Sequence, residues 1–141
     1  MMISSKGRYA LRVMIDMAEH HTGQYIAMRE VAERQDISLK YLEKILPSLV
    51  SAKLVEGVHG KGGGYRLTRN PSEYSVGEIL RLSEGDLAPV SCVEQGAKPC
   101  ARSSECRALP LWNNLNKMIC SYLDSVSLTD LMQSSDPSRT S

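Results

Sequence analysis

Three of the four cysteines in the chain lie close together, at positions 92, 100 and 106. Their spacing is C-x7-C-x5-C, and Gly96 and Pro99 in the first interval favour a loop. Thiolates on a loop are soft ligands that suit iron–sulfur clusters, zinc or copper(I). The sequence therefore predicts a metal or cluster site with Cys92, Cys100 and Cys106 as ligands. Two alternatives stay open, namely free thiols and a disulfide formed under oxidative stress, such as Cys92–Cys100.

The bulk composition places these cysteines in an ordinary globular protein. The chain has 141 residues, of which 42% are hydrophobic and 23% charged, which is typical of one modest domain or a small domain with an extension. No apolar run has the length of a membrane span, and the N-terminus lacks the pattern of a signal peptide. We therefore expect a cytoplasmic protein without a membrane partner. In that reducing compartment, clustered cysteines are more often metal ligands or redox sensors than structural disulfides.

Charge is distributed unevenly along the chain. Residues 1–70 carry 11 Lys and Arg against 7 Asp and Glu, a net charge of +4. Residues 71–141 carry 6 Lys and Arg against 9 Asp and Glu, a net charge of −3. The basic half is the one that is suited to meet a polyanion.

The first half of the chain has the pattern of a helix-turn-helix. Ser4 or Ser5 can cap a first helix that runs to about residue 20, and MREVAERQ predicts a short second helix. After a break at Asp36, Ser38 can cap a third helix over SLKYLEKILPSLVSA. Pro47 lies inside this third helix and is expected to kink or weaken it.

A glycine-rich hairpin follows the third helix directly. Residues 54–58 are expected to form a strand, HGKGGG a turn, and residues 65–67 the returning strand. The glycines allow positive φ angles and let the backbone approach a phosphate or a groove wall. A helix-turn-helix followed by such a hairpin is a winged helix.

The exposed parts of a winged helix predict where DNA would bind. The first turns of the third helix enter the major groove, where Lys can donate to guanine and Glu can accept from cytosine. A cation at the tip of the wing can enter a narrow minor groove. Each residue by itself is better explained as solvated surface, but their combination favours binding of double-stranded DNA. The predicted DNA-binding residues are Ser38, Lys40, Tyr41, Glu43 and Lys44 on the helix and His59, Gly60, Lys61, Gly62 and Gly63 in the wing.

The second half of the chain predicts helices on both sides of the cysteine loop. Ser75 and Glu78 fit a capping box for a helix to about Leu82. A longer helix is expected from Ser103 or Ser104, with a bend or restart at Pro110, and Ser127 with Asp130 can cap a short last helix. The long helix has an apolar stripe that the small core cannot cover, so a partner helix is expected there. The stripe consists of Leu111, Leu115, Met118, Ile119 and Tyr122.

The predicted fold class is mainly α, a winged helix-turn-helix with a two-stranded wing and a long C-terminal dimerisation helix. The DNA-binding domain is expected at residues 1–83 and the cysteine-bearing sensor loop at 84–106. The dimerisation helix and short terminal helix follow at 107–132, and residues 133–141 have the composition of a disordered tail. The sequence contains no nucleophile–base pair and no phosphate-binding loop of the NTPase kind, so we do not expect an enzyme.

Three segments resemble one bacterial family over about residues 2–132. They are SSKGRYALRVMIDMAEH, ISLKYLEKILPSLVSAKLVEGVHGKGGGYRL and LW…SLTDL, and the family is the Rrf-two winged-helix regulators typified by IscR, NsrR and CymR. The resemblance implies a homodimer with crossing C-terminal helices that regulates genes for iron–sulfur assembly, cysteine metabolism or the nitric-oxide response. Tyr41 and Glu43 match its recognition helix, and residues 60–65 match its wing. IscR-like members have Arg and Pro where this chain has His59 and Lys61, which points to a different DNA site.

The resemblance also implies an iron–sulfur cluster, because cluster-binding members carry three cysteines in this region. The first interval between the cysteines is longer here than in IscR. IscR-like proteins take a fourth ligand from a His at the position of Leu109, and NsrR-like proteins can take it from an acidic residue in the first helix of the other subunit, at the position of Arg8. The remaining candidates are Glu105, a carboxylate or His of the other subunit, water and a small thiol. Both [2Fe–2S] and [4Fe–4S] clusters stay open.

The predicted function is a homodimeric transcriptional regulator that binds a roughly palindromic operator under the control of an iron–sulfur cluster or its loss. One alternative keeps the fold and the DNA but uses a thiol–disulfide or zinc switch. Another is a protein-interaction module whose winged helix docks a partner enzyme, as CymR-like relatives work with one.

Overall fold

The computed structural model describes residues 3–98 and 100–132 of the chain. In the described residues the structure is mainly helical, with one two-stranded antiparallel sheet, as predicted. The predicted tail at 133–141 lies outside these residues. No helix among them has the length and apolar character needed to cross a membrane. In chain order the elements are α1 (Ser5–Glu19), α2 (Met28–Gln35), α3 (Leu39–Ser51), β1 (Val55–Val58), β2 (Gly64–Leu67), α4 (Val76–Glu84), α5 (Leu109–Ser125) and α6 (Leu128–Leu131).

Serine caps fix the starts of the helices that were predicted from them. The Ser4 hydroxyl accepts a hydrogen bond from the Gly7 amide at 3.1 Å, and the Ser38 hydroxyl accepts one from the Tyr41 amide at 3.1 Å. Each bond satisfies an amide that the first turn of a helix leaves without a partner. Helix α3 then continues through Pro47 to Ser51.

Only one of the two hydrogen bonds of the predicted capping box at Ser75 is present. The Ser75 hydroxyl accepts from the Glu78 amide at 3.0 Å, as expected. The Glu78 carboxylate, however, pairs with both terminal nitrogens of Arg69 at 2.9 and 3.0 Å. A bidentate guanidinium pair is stronger than the local bond back to the cap. The complete capping box occurs at Ser127 and Asp130, at 2.9 and 3.2 Å.

The main core joins α1, α2 and α3 to the base of the hairpin, and Tyr74 is one of its fully buried side chains. The Tyr74 hydroxyl donates to the Leu54 carbonyl at 2.6 Å and accepts from the amides of Thr68 and Arg69 at 2.9 and 3.1 Å. Because the chain has no Phe, this tyrosine supplies the bulk of an aromatic core residue and ties the hairpin to the chain that leads into α4.

A second apolar cluster sets α5 beside α4. Val76, Leu80 and Leu87 form its buried part, and residues of α5 and α6 pack against them. At the edge of this cluster Arg81 of α4 pairs with Asp124 of α5 at 2.6 and 3.1 Å. The Arg81 guanidinium lowers the pKa of the Asp124 carboxyl through this bond. The pair therefore links the two helices at neutral pH, and the link is lost as acid protonates Asp124.

Helix α5 begins later than predicted. It starts at Leu109, Pro110 lies in its first turn, and residues 101–105 form turns rather than the expected first part of the helix. Proline fits the first turn of a helix because the amide it lacks has no partner there anyway. In the part of the chain that the structure describes, no residue of α5 is fully buried. Leu111, Met118 and Tyr122 of the predicted stripe are exposed, whereas Leu115 is half-buried and Ile119 packs against the second apolar cluster.

Candidate nucleic-acid interface and cysteine loop

The charged residues predicted to bind DNA on α3 are all exposed. Lys40, Glu43 and Lys44 lie on the outer side of the helix, while Leu42 and Ile45 pack into the core. This division follows from the helical repeat, which separates an apolar stripe from a polar face. Ser38 is also exposed, but its hydroxyl is engaged as the cap of the helix.

Tyr41 is half-buried and differs in this from its charged neighbours. Its ring packs edge to face on Tyr9 of α1, with the centroids 5.2 Å apart and the planes at 88°. The Arg12 guanidinium lies 5.2 Å from the centroid of the Tyr9 ring and also donates to Gln35 at the end of α2. Helix α1 thus orients α3 through an aromatic contact that sequence reasoning missed, because the two helices are distant in the chain.

The wing is anchored to the segment that precedes α2. Ile26 donates to the Tyr65 carbonyl at 2.8 Å, and Tyr65 donates to the Ile26 carbonyl at 2.9 Å. At the other end of the hairpin, the Gly63 amide bonds to the Gly60 carbonyl at 3.0 Å and closes the tip. Of the five predicted wing residues, 59–62 are exposed and Gly63 is partly exposed.

A cleft of about 700 Å³ separates the wing from the starts of α2 and α3. Residues 27–30, Leu39 and the wing residues 60–65 line it. Lys61, which was predicted to bind DNA, and Arg29, which was not, both line this cleft. Arg29 is exposed in the first turn of α2, and the first helix of a helix-turn-helix crosses the DNA backbone. That rule could have identified Arg29 from the sequence.

The structure places the three loop cysteines on one segment but does not bring them together. Cys92 lies in a 3₁₀ turn (Ser91–Val93) and is exposed, Cys100 is exposed, and Cys106 is half-buried just before α5. Throughout the described ranges the cysteines are free thiols, and no group of three His, Cys, Asp or Glu side chains is gathered for a metal ion.

Comparison with known proteins identifies the family. The model of the Rrf2 family, described as iron-dependent transcriptional regulators, matches residues 3–134. The chain belongs to the Rrf2 family. Curated Rrf2 relatives include the transcriptional regulator IscR of Aliivibrio salmonicida, 39% identical over 94% of this chain and 77% of the relative. IscR of Yersinia pseudotuberculosis is 35% identical over 96% of this chain and 82% of the relative.

Solved Rrf2 structures share the fold. CymR, the global cysteine regulator of B. subtilis, superposes with a TM-score of 0.75 at 34% identity, over 93% of this chain and 95% of that chain. IscR of T. potens gives a TM-score of 0.74 at 30% identity, over 100% of this chain and 93% of that chain. These relatives confirm the predicted winged helix and the family resemblance. The chain is a DNA-binding transcriptional regulator of the Rrf2 type, and its relatives are regulators rather than enzymes.

The cysteine loop of this Rrf2 protein has the donor chemistry of an iron–sulfur site. Three thiols, two of them exposed, suit iron better than oxygen-seeking metals. Neither position from which the resemblance implied a fourth ligand offers one here, because the Leu109 side chain has no donor atom and the Arg8 guanidinium is a cation, which donates to the Ser5 hydroxyl at 3.1 Å. Glu105 is exposed in the turn before Cys106 and is the carboxylate adjacent to that cysteine in the sequence. It therefore stays a candidate for the fourth ligand. The three thiols are the type of ligand that an iron–sulfur cluster requires. The loop must change conformation before all three can bind one cluster.

Proposed function

We propose that this chain is a homodimeric regulator whose operator binding is controlled by an iron–sulfur cluster on Cys92, Cys100 and Cys106. The observation that carries the proposal is the position of the cysteine loop, which connects α4 of the winged-helix body to the exposed helix α5. A bound cluster would supply iron that responds to oxidants and small molecules. With DNA as its target, the protein would work in the cytoplasm.

The loop is placed to act on both neighbouring helices. Helix α4 packs on α1, and α1 contacts the recognition helix through Tyr9 and Tyr41. Helix α5 packs on α4 through the second apolar cluster and through Arg81 and Asp124. A change in the loop can therefore bias the pose of the winged helix, provided that the two poses differ in stability with and without the cluster.

A second copy of the chain is the expected partner of α5. Leu111, Met118 and Tyr122 lie on one face of this helix and are 58, 69 and 68% exposed. Large apolar side chains in such a row favour a helix–helix interface, and symmetric dimers bury the same surface from both copies. Two winged helices related by such symmetry would read the two halves of a palindromic operator.

We expect anaerobically isolated protein to be coloured and to contain iron and sulfide. Cys92→Ser should remove most of the visible absorption, because two thiolates hold a cluster poorly. Cys120→Ser is the matched control, since Cys120 lies within α5 and its thiol contacts Asn116 at 3.6 Å. An absorption spectrum with iron and sulfide analysis checks the prediction. Colourless protein that cannot be reconstituted with iron and sulfide would contradict the cluster.

The exposed thiols of Cys92 and Cys100 favour a second candidate, in which the same loop acts through zinc or a disulfide. The same isolation separates the two candidates. Stoichiometric zinc without visible absorption, or loss of two free thiols on mild oxidation with loss of operator binding, would favour the second.

Lys40→Ala and Lys61→Ala should each weaken operator binding about five- to tenfold. We place Lys40 against a base in the major groove and Lys61 in the minor groove at the wing. Where the lost lysine also neutralises a phosphate, the salt slope falls by about 1. Lys117→Ala removes an exposed charge from α5 and serves as the control with unchanged affinity. Fluorescence anisotropy across a salt series measures the affinities and should give two chains per operator. Affinity that is indifferent to salt and to both substitutions would overturn the assigned interface.

A further inference from the structure

The segment around Cys92 is held by one carboxylate. Asp86 follows the end of α4, and one of its oxygens accepts from the Ala88 amide at 2.7 Å. Its other oxygen accepts from the Gln95 amide at 2.9 Å, nine residues away. The two bonds tie both ends of the segment 86–95 together, with Cys92 between them.

This tied segment is fixed to the body of the protein. Leu87, next to Asp86, is 1% exposed and belongs to the apolar cluster shared with α4 and α5. From α5, the Asn116 side chain donates to the Val93 carbonyl at 3.4 Å. Cys92 therefore stands on a segment whose position is set by both helices.

The rest of the loop is held differently. Among the described residues, the backbone bonds that start or end at 100–108 are local, such as Ser103 to Cys100 at 2.9 Å and Leu109 to Cys106 at 3.4 Å. Cys100 and Cys106 thus lie on a stretch whose backbone hydrogen bonds are local. Cys92 lies on a stretch that is bonded to Asp86 and to α5. Among the described residues of the loop, 100–108 therefore have no backbone hydrogen bonds to the winged-helix body that would have to break if the three thiols came together.

We propose that Asp86 is a positioning residue of the sensor, which fixes Cys92 as the ligand on which Cys100 and Cys106 close. The inference deepens the proposed function and rests on it, because it takes the three cysteines to be ligands. A ligand held in advance spares the entropy of ordering its segment when iron binds. The carboxylate also connects Cys92 to the end of α4. Binding or loss of iron at the cysteines can therefore change the position of α4 and, through it, of the winged helix.

The test compares iron release from reconstituted protein variants. Each variant is loaded anaerobically with ferrous iron and sulfide, and the transfer of iron to a chelator is followed by absorbance. We expect Asp86→Ala to release iron about tenfold faster, because two hydrogen bonds to a charged acceptor are lost. Asp86→Asn keeps one oxygen acceptor and should recover part of the retention. Glu94→Gln removes an exposed carboxylate from the same segment and should release iron at the wild-type rate.

Two further measurements distinguish positioning from general loss of structure. Metal-free Asp86→Ala should keep the wild-type circular dichroism and DNA affinity, because Asp86 lies outside the proposed DNA-binding surface. If Asp86→Ala does not fold, the comparison of Asp86→Asn with wild type decides. Wild-type release rates in the Asp86 variants would overturn this inference alone. Failure of the wild-type protein to take up iron and sulfide would overturn the proposed function, and this inference with it.

Discussion

Gly64→Ala is expected to detach the wing and weaken operator binding at least about tenfold. Gly64 has a φ angle of +148°, which side chains rarely adopt. A Cβ at this position would lie 2.6 Å from the carbonyl carbon of Ile26 and 3.1 Å from the Ala27 nitrogen. These are backbone atoms and cannot rotate away. The two segments must therefore move apart, which breaks or lengthens the two hydrogen bonds between Ile26 and Tyr65. We expect a loss of about 2–4 kcal/mol in the free energy of unfolding.

The control for this prediction is Gly23→Ala. Gly23 also has a positive φ angle, +84°, but open space surrounds the position where its Cβ would be. It should therefore show the backbone strain, about 1 kcal/mol, without the collision. Urea unfolding and operator binding measure both variants. If Gly64→Ala behaves like Gly23→Ala in both assays, then the attachment at Ile26 does not hold the wing.

Asp16→Ala should be among the most destabilising single substitutions in α1. Asp16 is 2% exposed, and its carboxylate accepts from Arg34 at 2.7 and 3.0 Å and from the Gln35 side chain at 2.9 Å. The bond to Asp16 raises the pKa of the Arg34 guanidinium. The substitution removes a buried, charged acceptor of several hydrogen bonds, and because 33% of the Arg34 side chain is exposed to water we expect a cost of about 3 kcal/mol and no more. The expected fall in the unfolding midpoint is about 10 °C.

The loss would extend to DNA binding, because Arg34 and Gln35 end α2 immediately before the turn into α3. Glu33→Ala removes an exposed carboxylate from the same helix and should change stability by less than about 0.5 kcal/mol. Calorimetry of the two variants checks the difference. Equal midpoints for Asp16→Ala and Glu33→Ala would show that the buried carboxylate does not stabilise the packing of α1 on α2.

Local patterns in the sequence were sufficient for the elements themselves. Ser4 and Ser38 mark the starts of two helices because a cap and its amide are three residues apart. The glycine-rich turn predicted the hairpin, and the spacing of apolar residues predicted which helix faces are buried. Pro110 shows the limit of this reasoning, because a proline marks a break without saying on which side of it the helix lies.

Contacts between distant parts of the chain were decided by the tertiary structure. Asp16 and Arg34 are 18 residues apart, and nothing in the sequence near either residue names its partner. The same holds for Tyr9 with Tyr41, and for Glu78, which local spacing assigned to a cap and packing assigned to Arg69. Many side chains in the chain could pair with a given donor or acceptor. The packing of the helices determines which of them comes within hydrogen-bonding distance.

For the cysteine loop, too, the sequence determined some properties and the tertiary structure determined others. The sequence by itself determined the number, type and spacing of the thiols, and with them the soft-ligand chemistry of the site. The tertiary structure decided that Cys92 is fixed through Asp86 while Cys100 and Cys106 lie on a locally bonded stretch. The physical reason is that a thiol's ligand chemistry belongs to the residue, whereas its position depends on a carboxylate and two helices elsewhere in the chain.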